Sequence, residues 1–227
     1  MSNLVIIVPS RGRPSLMKRF LDSWKLTTQG KSTIRIGLDA NDPNLMDYIK
    51  SERNVYKTVF TSQLELNQKN NLLAMSEIED GANIVGLLSD DFIFHTLGWE
   101  DKIIEWQDQN KGICYGNDLL QGAALPTAPF IHEDIILPLG YTAPPILKHY
   151  YIDNYWLELG LRLEKIKYLP DIVIEHSHWS NKKAIKDLTY SQSEALMGED
   201  KKAWDHYRET KLSNDVQKIQ LWHKKLK

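Results

Sequence analysis

The 227 residues are 42% hydrophobic and 26% charged, ordinary for a soluble globular chain and enough for one buried domain with or without an appendage. A single cysteine, Cys114, excludes an intramolecular disulfide and fits a reducing compartment; the apolar run "LVIIV" is too short for a signal or a membrane span, so a cytoplasmic location is expected. Net charge is −2 but unevenly spread, with residues 181 to 227 at +4 and the remainder at −6: a solvated helical face, or a tail able to touch nucleic acid, anionic lipid or an acidic partner.

Residues 3 to 8, "NLVIIV", are uniformly apolar and β-branched, as in a parallel strand covered on both faces. "PSRGRP" breaks that run before Leu16, Phe20, Leu21 and Trp24 recur at helical spacing. The cycle repeats with a strand ending at Asp39, a helix near 43 to 51, the strand "VYKTVF", a helix over "ELNQKNNLLAMSEIE" and the strand "NIVGLL". Such alternation predicts an open, mostly parallel α/β sheet. After a helix at 98 to 109 come the β-like pieces "GICYG" and "FIHEDIILPL", a turn "TAPPIL", a helix around 149 to 161 and the strand "DIVIEH". This is a mixed half packed on the same sheet. From Asn181 the pattern is polar and helical, with Val216, Ile219, Trp222 and Leu226 as a stripe.

In an open parallel sheet, ligands bind beyond the carboxyl ends of the strands, and three strands here deliver polar residues to that edge: Ser10 with Arg11, Asp39, and Asp90 with Asp91. Asp39 or Asp42 singly reads as a turn residue. Two adjacent aspartates after "IVGLL" repel one another unless positive charge sits beside them, and a hard divalent cation meets that need; the simpler alternative is that Asp91 merely caps the next element. "DIVIEHSHW" places His176 and His178 on one face of a strand. Carboxylate plus imidazole, with water and phosphate oxygens completing the shell, suits Mn²⁺ or Mg²⁺ better than zinc. In "HYYIDNYW", Asp153 stands among Tyr150, Tyr151, Tyr155 and Trp156; apolar surroundings raise a carboxylate's proton affinity and make it a better base, and such rings can stack on a sugar. Read blandly, the same stretch is a helix-start aspartate beside core aromatics. There is no G-x-G-x-x-G, no P-loop and no G-x-S-x-G, which removes the main support for dinucleotide, P-loop and hydrolase readings.

Together "VIIVPSRGRP", "GLDANDP", "LNQKNN" and "GLLSDDFIFHTLGWED" resemble the nucleotide-sugar-dependent glycosyltransferases of GT-A fold, near family 2. "LPLGYTAPP", "HYYIDNYW" and "YLPDIVIEHSHW" resemble the acceptor half of small bacterial and phage members. The resemblance spans roughly residues 3 to 190. It implies a GT-A catalytic domain over 1–180, with a nucleotide-sugar half at 1–97 and an acceptor half at 98–180, and a helical extension at 181–227.

The family's aspartate motif is usually D-x-D, and here it reads Ser89, Asp90, Asp91. By resemblance Asp91 is the metal-ligand position, Asp90 lies by the ribose or donor sugar, and Asp39 sits against the base over a floor of Pro9, Ser10 and Arg11. Arg13, Asn67 and Lys69 join the donor set, Asp153 is the catalytic base, and His176, rather than His178, completes the metal shell. Tyr151 and Trp156 face the acceptor. The implied reaction is inverting, metal-dependent transfer from a nucleoside-diphosphate sugar to a saccharide or lipid-linked hydroxyl. Alternatives are a phage-type enzyme that glycosylates hydroxymethylated bases in DNA, a nucleotidyltransferase, and a non-catalytic sugar-nucleotide module.

Overall fold

The computed structural model describes residues 3–51, 55–177 and 194–225. His178 lies outside them. The first half follows the strand–helix rhythm of the sequence: β1 (Leu4–Pro9), α1 (Pro14–Thr27), β2 (Ser32–Asp39), α2 (Leu45–Lys50), β3 (Tyr56–Phe60), α3 (Leu66–Glu79) and β4 (Ile84–Leu87). A short strand β5 (Phe92–Phe94) then precedes α4 (Trp99–Asn110), β6 (Ile113–Asn117), β7 (Pro129–His132), the single turn α5 (Glu133–Ile136), α6 (Ile152–Leu163) and β8 (Ile166–His176). Two helices close the chain, α7 (Met197–Thr210) and α8 (Leu212–Lys225).

The eight strands form one sheet in the order β3-β2-β1-β4-β7-β6-β8-β5. β3, β2, β1 and β4 run parallel; β7 is antiparallel to both β4 and β6, β8 is parallel to β6, and β5 is antiparallel to β8. β1 is buried on both faces, which explains its unbroken apolar sequence. Leu4, Ile6 and Val8 join the layer beneath α1 and α4, with Phe20, Leu21 and Trp99, while Ile7 points to the other layer with Leu73, Tyr155, Leu159, Trp204, Leu212 and Ile219. The two terminal helices therefore belong to a main apolar layer. Gly86 lets β4 pass under Phe130, since a Cβ there would stand 2.8 Å from the ring.

Two expectations about local structure change, and one strand is added. "FIHEDIILPL" is a strand only as far as His132. There the His132 side chain accepts from the Asp134 amide at 3.1 Å and caps a helical turn, an end that an apolar run cannot announce. The helix expected from 149 starts at Ile152, because the amides of residues 148 to 150 are bonded elsewhere and Tyr151 adopts a left-handed φ of 64°. Strand β5 was not foreseen, its three residues being too few for a periodic signal.

Candidate active site

A cleft of about 560 Å³ opens along the carboxyl ends of β1 and β4. β1 delivers Pro9 and Ser10, and the turn after it delivers Arg11 and Arg13. β4 runs into Ser89, Asp90 and Asp91; α3 contributes Lys69 and Asn70; α6 contributes Ile152, Asp153 and Trp156; the end of β8 contributes His176. Residues from both halves of the sequence, and Leu196 from the C-terminal segment, share this one cavity.

The two aspartates are both buried and point to different partners. Asp90 accepts a short hydrogen bond from Ser10 Oγ and lies 3.5 Å from the Arg13 guanidinium. The Tyr48 hydroxyl, fully buried beneath, accepts from the Arg13 amide at 2.6 Å and bonds Ser10 Oγ at 2.8 Å, so α2 locks the β1 turn against Asp90. Tyr48 carried no sequence signal beyond being an apolar position on a short helix. Gly12, at φ +70°, makes the turn and donates its amide to Asp42 at 2.8 Å.

Asp91 accepts from Ser89 Oγ at 2.6 Å and has its other oxygen 3.5 Å from His176 Nε2. Ser89 thus orients the Asp91 carboxylate. The unforeseen β5 explains how His176 arrives: Phe92 pairs in register with His176, their rings stack at 4.4 Å, and the Ser177 amide donates to the Asp91 carbonyl at 2.9 Å.

Burial, and then the neighbouring Asp91 charge, push the Asp90 carboxyl up to about 7, against the pull of Arg13 and Ser10. Asp153 is likewise raised, chiefly by burial, with His176 acting in the opposite sense. His149, which lines the cleft, is held below its usual value by burial, with the Asp200 charge acting in the opposite sense.

Among the described residues no cluster of three or more His, Cys, Asp or Glu groups forms a cage for a metal. Asp91 and His176 nevertheless fit a divalent ion. Two ligands each about 2.1 Å from one ion and about 90–110° apart are separated by about 3.0–3.5 Å. A hard cation also accepts one or two protein donors when phosphate oxygens and water fill the rest.

Other expected residues sit differently. Asp39 is fully buried behind the wall, bonded to Lys69 Nζ at 2.6 Å and to Arg11 at 3.3 Å, so it orients two cations that line the cleft and does not line it itself. Asn67 does not line the cavity: its amide donates to the carbonyls of Pro144 and Leu147, each at 2.8 Å, and it holds the loop rather than facing a donor. Tyr151 does not line the cavity either; its left-handed backbone starts α6, and Tyr150 and His149 present their side chains there instead. Trp156 lines it while donating Nε1–H to the Thr142 carbonyl at 2.9 Å.

No family model matches the sequence, and no curated protein sequence matches it. Solved structures do match by fold. TarS 1–349 of S. aureus in complex with UDP superposes with a TM-score of 0.59 at 12% identity, over 77% of this chain and 59% of that one. The mannosyltransferase PcManGT of Pyrobaculum calidifontis, in complex with GDP-Man and Mn²⁺, gives 0.60 at 12% identity over 97% of this chain and 73% of its own. A protein of Desulfovibrio desulfuricans G20, assigned by its description to the nucleotide-diphospho-sugar transferases, gives 0.54 at 13% over 89% and 98%. The chain thus spans little more than half of the TarS 1–349 chain. Among the described residues no helix is long and apolar enough to cross a membrane. With a curled α/β sheet flanked by helices and these neighbours, the chain has the fold of GT-A type glycosyltransferases.

Proposed function

We infer that the chain transfers a sugar from a nucleoside-diphosphate sugar to an acceptor hydroxyl, inverting the anomeric centre. The observation that carries this is the meeting, in one cleft at the rim of the sheet, of the Asp91–His176 pair and Asp153, drawn from three distant parts of the chain. Structural neighbours that hold UDP or GDP-Man with Mn²⁺ support the donor class.

Arg11, Arg13 and Lys69 line the cleft and favour an anionic diphosphate. Asp91 and His176 would hold Mn²⁺ or Mg²⁺, a Lewis acid that neutralises charge growing on the leaving diphosphate. Asp153, its proton affinity raised by burial, accepts the acceptor hydroxyl's proton. The acceptor oxygen bonds to the anomeric carbon as the bond to the phosphate oxygen breaks, and the nucleoside diphosphate leaves with that electron pair. A single displacement inverts configuration. The rings of His149, Tyr150 and Trp156 form a wall suited to a saccharide acceptor.

A thermal-shift and nucleotide-release panel of UDP-, GDP-, dTDP- and CMP-sugars, with and without Mn²⁺, tests this. One donor should stabilise the wild-type protein in a Mn²⁺-dependent way, and Asp91→Ala should lose that dependence. Asp153→Asn should retain donor binding while slowing release by about 10²-fold or more. Full activity in Asp153→Asn would remove it as the base.

A further inference from the structure

Asp200, on α7 in the C-terminal segment, is fully buried although no part of the sequence motif includes it. Its two carboxylate oxygens accept three consecutive backbone amides: Lys148 at 2.9 Å, His149 at 2.8 Å and Tyr150 at 2.7 Å. Three N–H groups converging on one carboxylate is the arrangement of an anion nest, here filled by the protein's own side chain. These are the residues that run into Tyr151 and the first turn of α6, which carries Asp153, and His149 and Tyr150 line the cleft.

The loop is held from its other side as well. Asn67 donates to carbonyls of Pro144 and Leu147, the Asn67 amide donates to the Lys148 carbonyl at 3.1 Å, and Asn71 both accepts from the Thr142 amide and donates to the Ala143 carbonyl. Helix α3 thus holds the stretch from 142 to 148 through both carbonyls and amides, while α7 holds the amides of residues 148 to 150. Leu196, immediately before α7, itself lines the cleft.

We propose that Asp200 is a positioning residue: through the amides of residues 148 to 150 it sets the aromatic wall of the cleft and the entry of α6, and hence where Asp153 stands. This rests on the glycosyltransferase reading of the cleft. Helix α7 then helps to shape the cleft as well as the core. Because Arg11, Arg13, Lys69, Asp90 and Asp91 sit on other elements, donor binding should be largely independent of Asp200.

The test compares Asp200→Asn, which keeps the size but turns one acceptor into an amide donor facing N–H groups, and Asp200→Ala, with Leu212→Ala as a destabilised control from the same apolar layer. Kinetics use the donor identified in the panel with Mn²⁺, read as nucleoside diphosphate release, alongside amide exchange. Both Asp200 variants should lower kcat by about tenfold or more with donor KM within about twofold, as displacement of a positioned base does. Exchange at residues 148 to 150 should accelerate by a similar factor of about ten. Leu212→Ala should lose thermal stability with kcat retained. Wild-type kcat in Asp200→Asn, or the same kcat loss in Leu212→Ala, overturns the proposal. If the wild-type chain releases nucleotide from no donor, the functional reading fails separately, and unchanged exchange at 148 to 150 in the Asp200 variants would sink the clamp itself.

Discussion

Asp90 shows how one residue's surroundings become a property of the whole protein. Its carboxyl is raised to about 7 by burial and by the Asp91 charge, so between about pH 4 and 7 the folded protein binds a proton that the unfolded chain releases. Stability contributed by this group is therefore full at low pH and lost as pH rises through about 7. The slope is at most about 1.4 kcal/mol per pH unit. Asp153 adds in the same sense. In metal-free buffer, Asp90→Asn should flatten the decline between about pH 5 and 7.5 relative to wild type, measured by urea unfolding at each pH. Identical pH profiles for the two proteins would show that Asp90 is ionised throughout. From sequence alone the adjacent aspartates were legible as groups in need of partners, because two like charges after an apolar strand repel one another. Their different partners, Ser10 and Arg13 for one and Ser89 and His176 for the other, were not, since most of them come from another strand or turn.

At the scale of elements, the "LNQKNN" helix changes meaning. Its amides suggested donor contacts, yet Asn67 and Asn71 of α3 are spent on the backbone of the loop over 142 to 148. The Asn71 Oδ1 accepts from the Thr142 amide and hydroxyl, both at 2.8 Å, and Nδ2 donates to Ala143 at 3.0 Å. Asn71→Ala leaves those backbone groups to find water or go unpaired, which costs about 1–3 kcal/mol. Denaturant unfolding should show that loss without a change in the slope against denaturant; a variant as stable as wild type would mean the loop does not depend on the grip. A polar helix face reads the same in sequence whether it meets a ligand or a neighbouring loop, which is why the periodicity of α3 was clear and its task was not. The short β5 makes the complementary point: too brief to recognise, it is the element that sets His176 beside Asp91.

At the scale of the molecule, helices α7 and α8 share an apolar layer with α6. Trp204, Leu212 and Ile219 are buried against α6 and its neighbours, and Asp215 accepts hydroxyls of Tyr141, Tyr155 and Tyr207 at 2.7–3.0 Å. Burying those three apolar side chains is worth about 5–9 kcal/mol in total, comparable with the roughly 5–15 kcal/mol that holds a whole domain together. A chain truncated after residue 193 should therefore lose cooperative thermal unfolding. A truncated protein that melts sharply near the wild-type temperature would show the helices to be dispensable.

By itself the sequence determined the succession of strands and helices from β1 to β4, the parallel half-sheet they make, and the edge at which Ser10, Arg11, Asp90 and Asp91 emerge. All of these come from local periodicity and from breaks within a few residues. Only the tertiary structure decided which strand lies beside which, that a three-residue strand would pair with β8, and that a carboxylate on α7 would gather the amides ahead of α6. Those contacts join segments far apart in the chain, and a residue's local pattern carries no record of the partner that folding brings across from it.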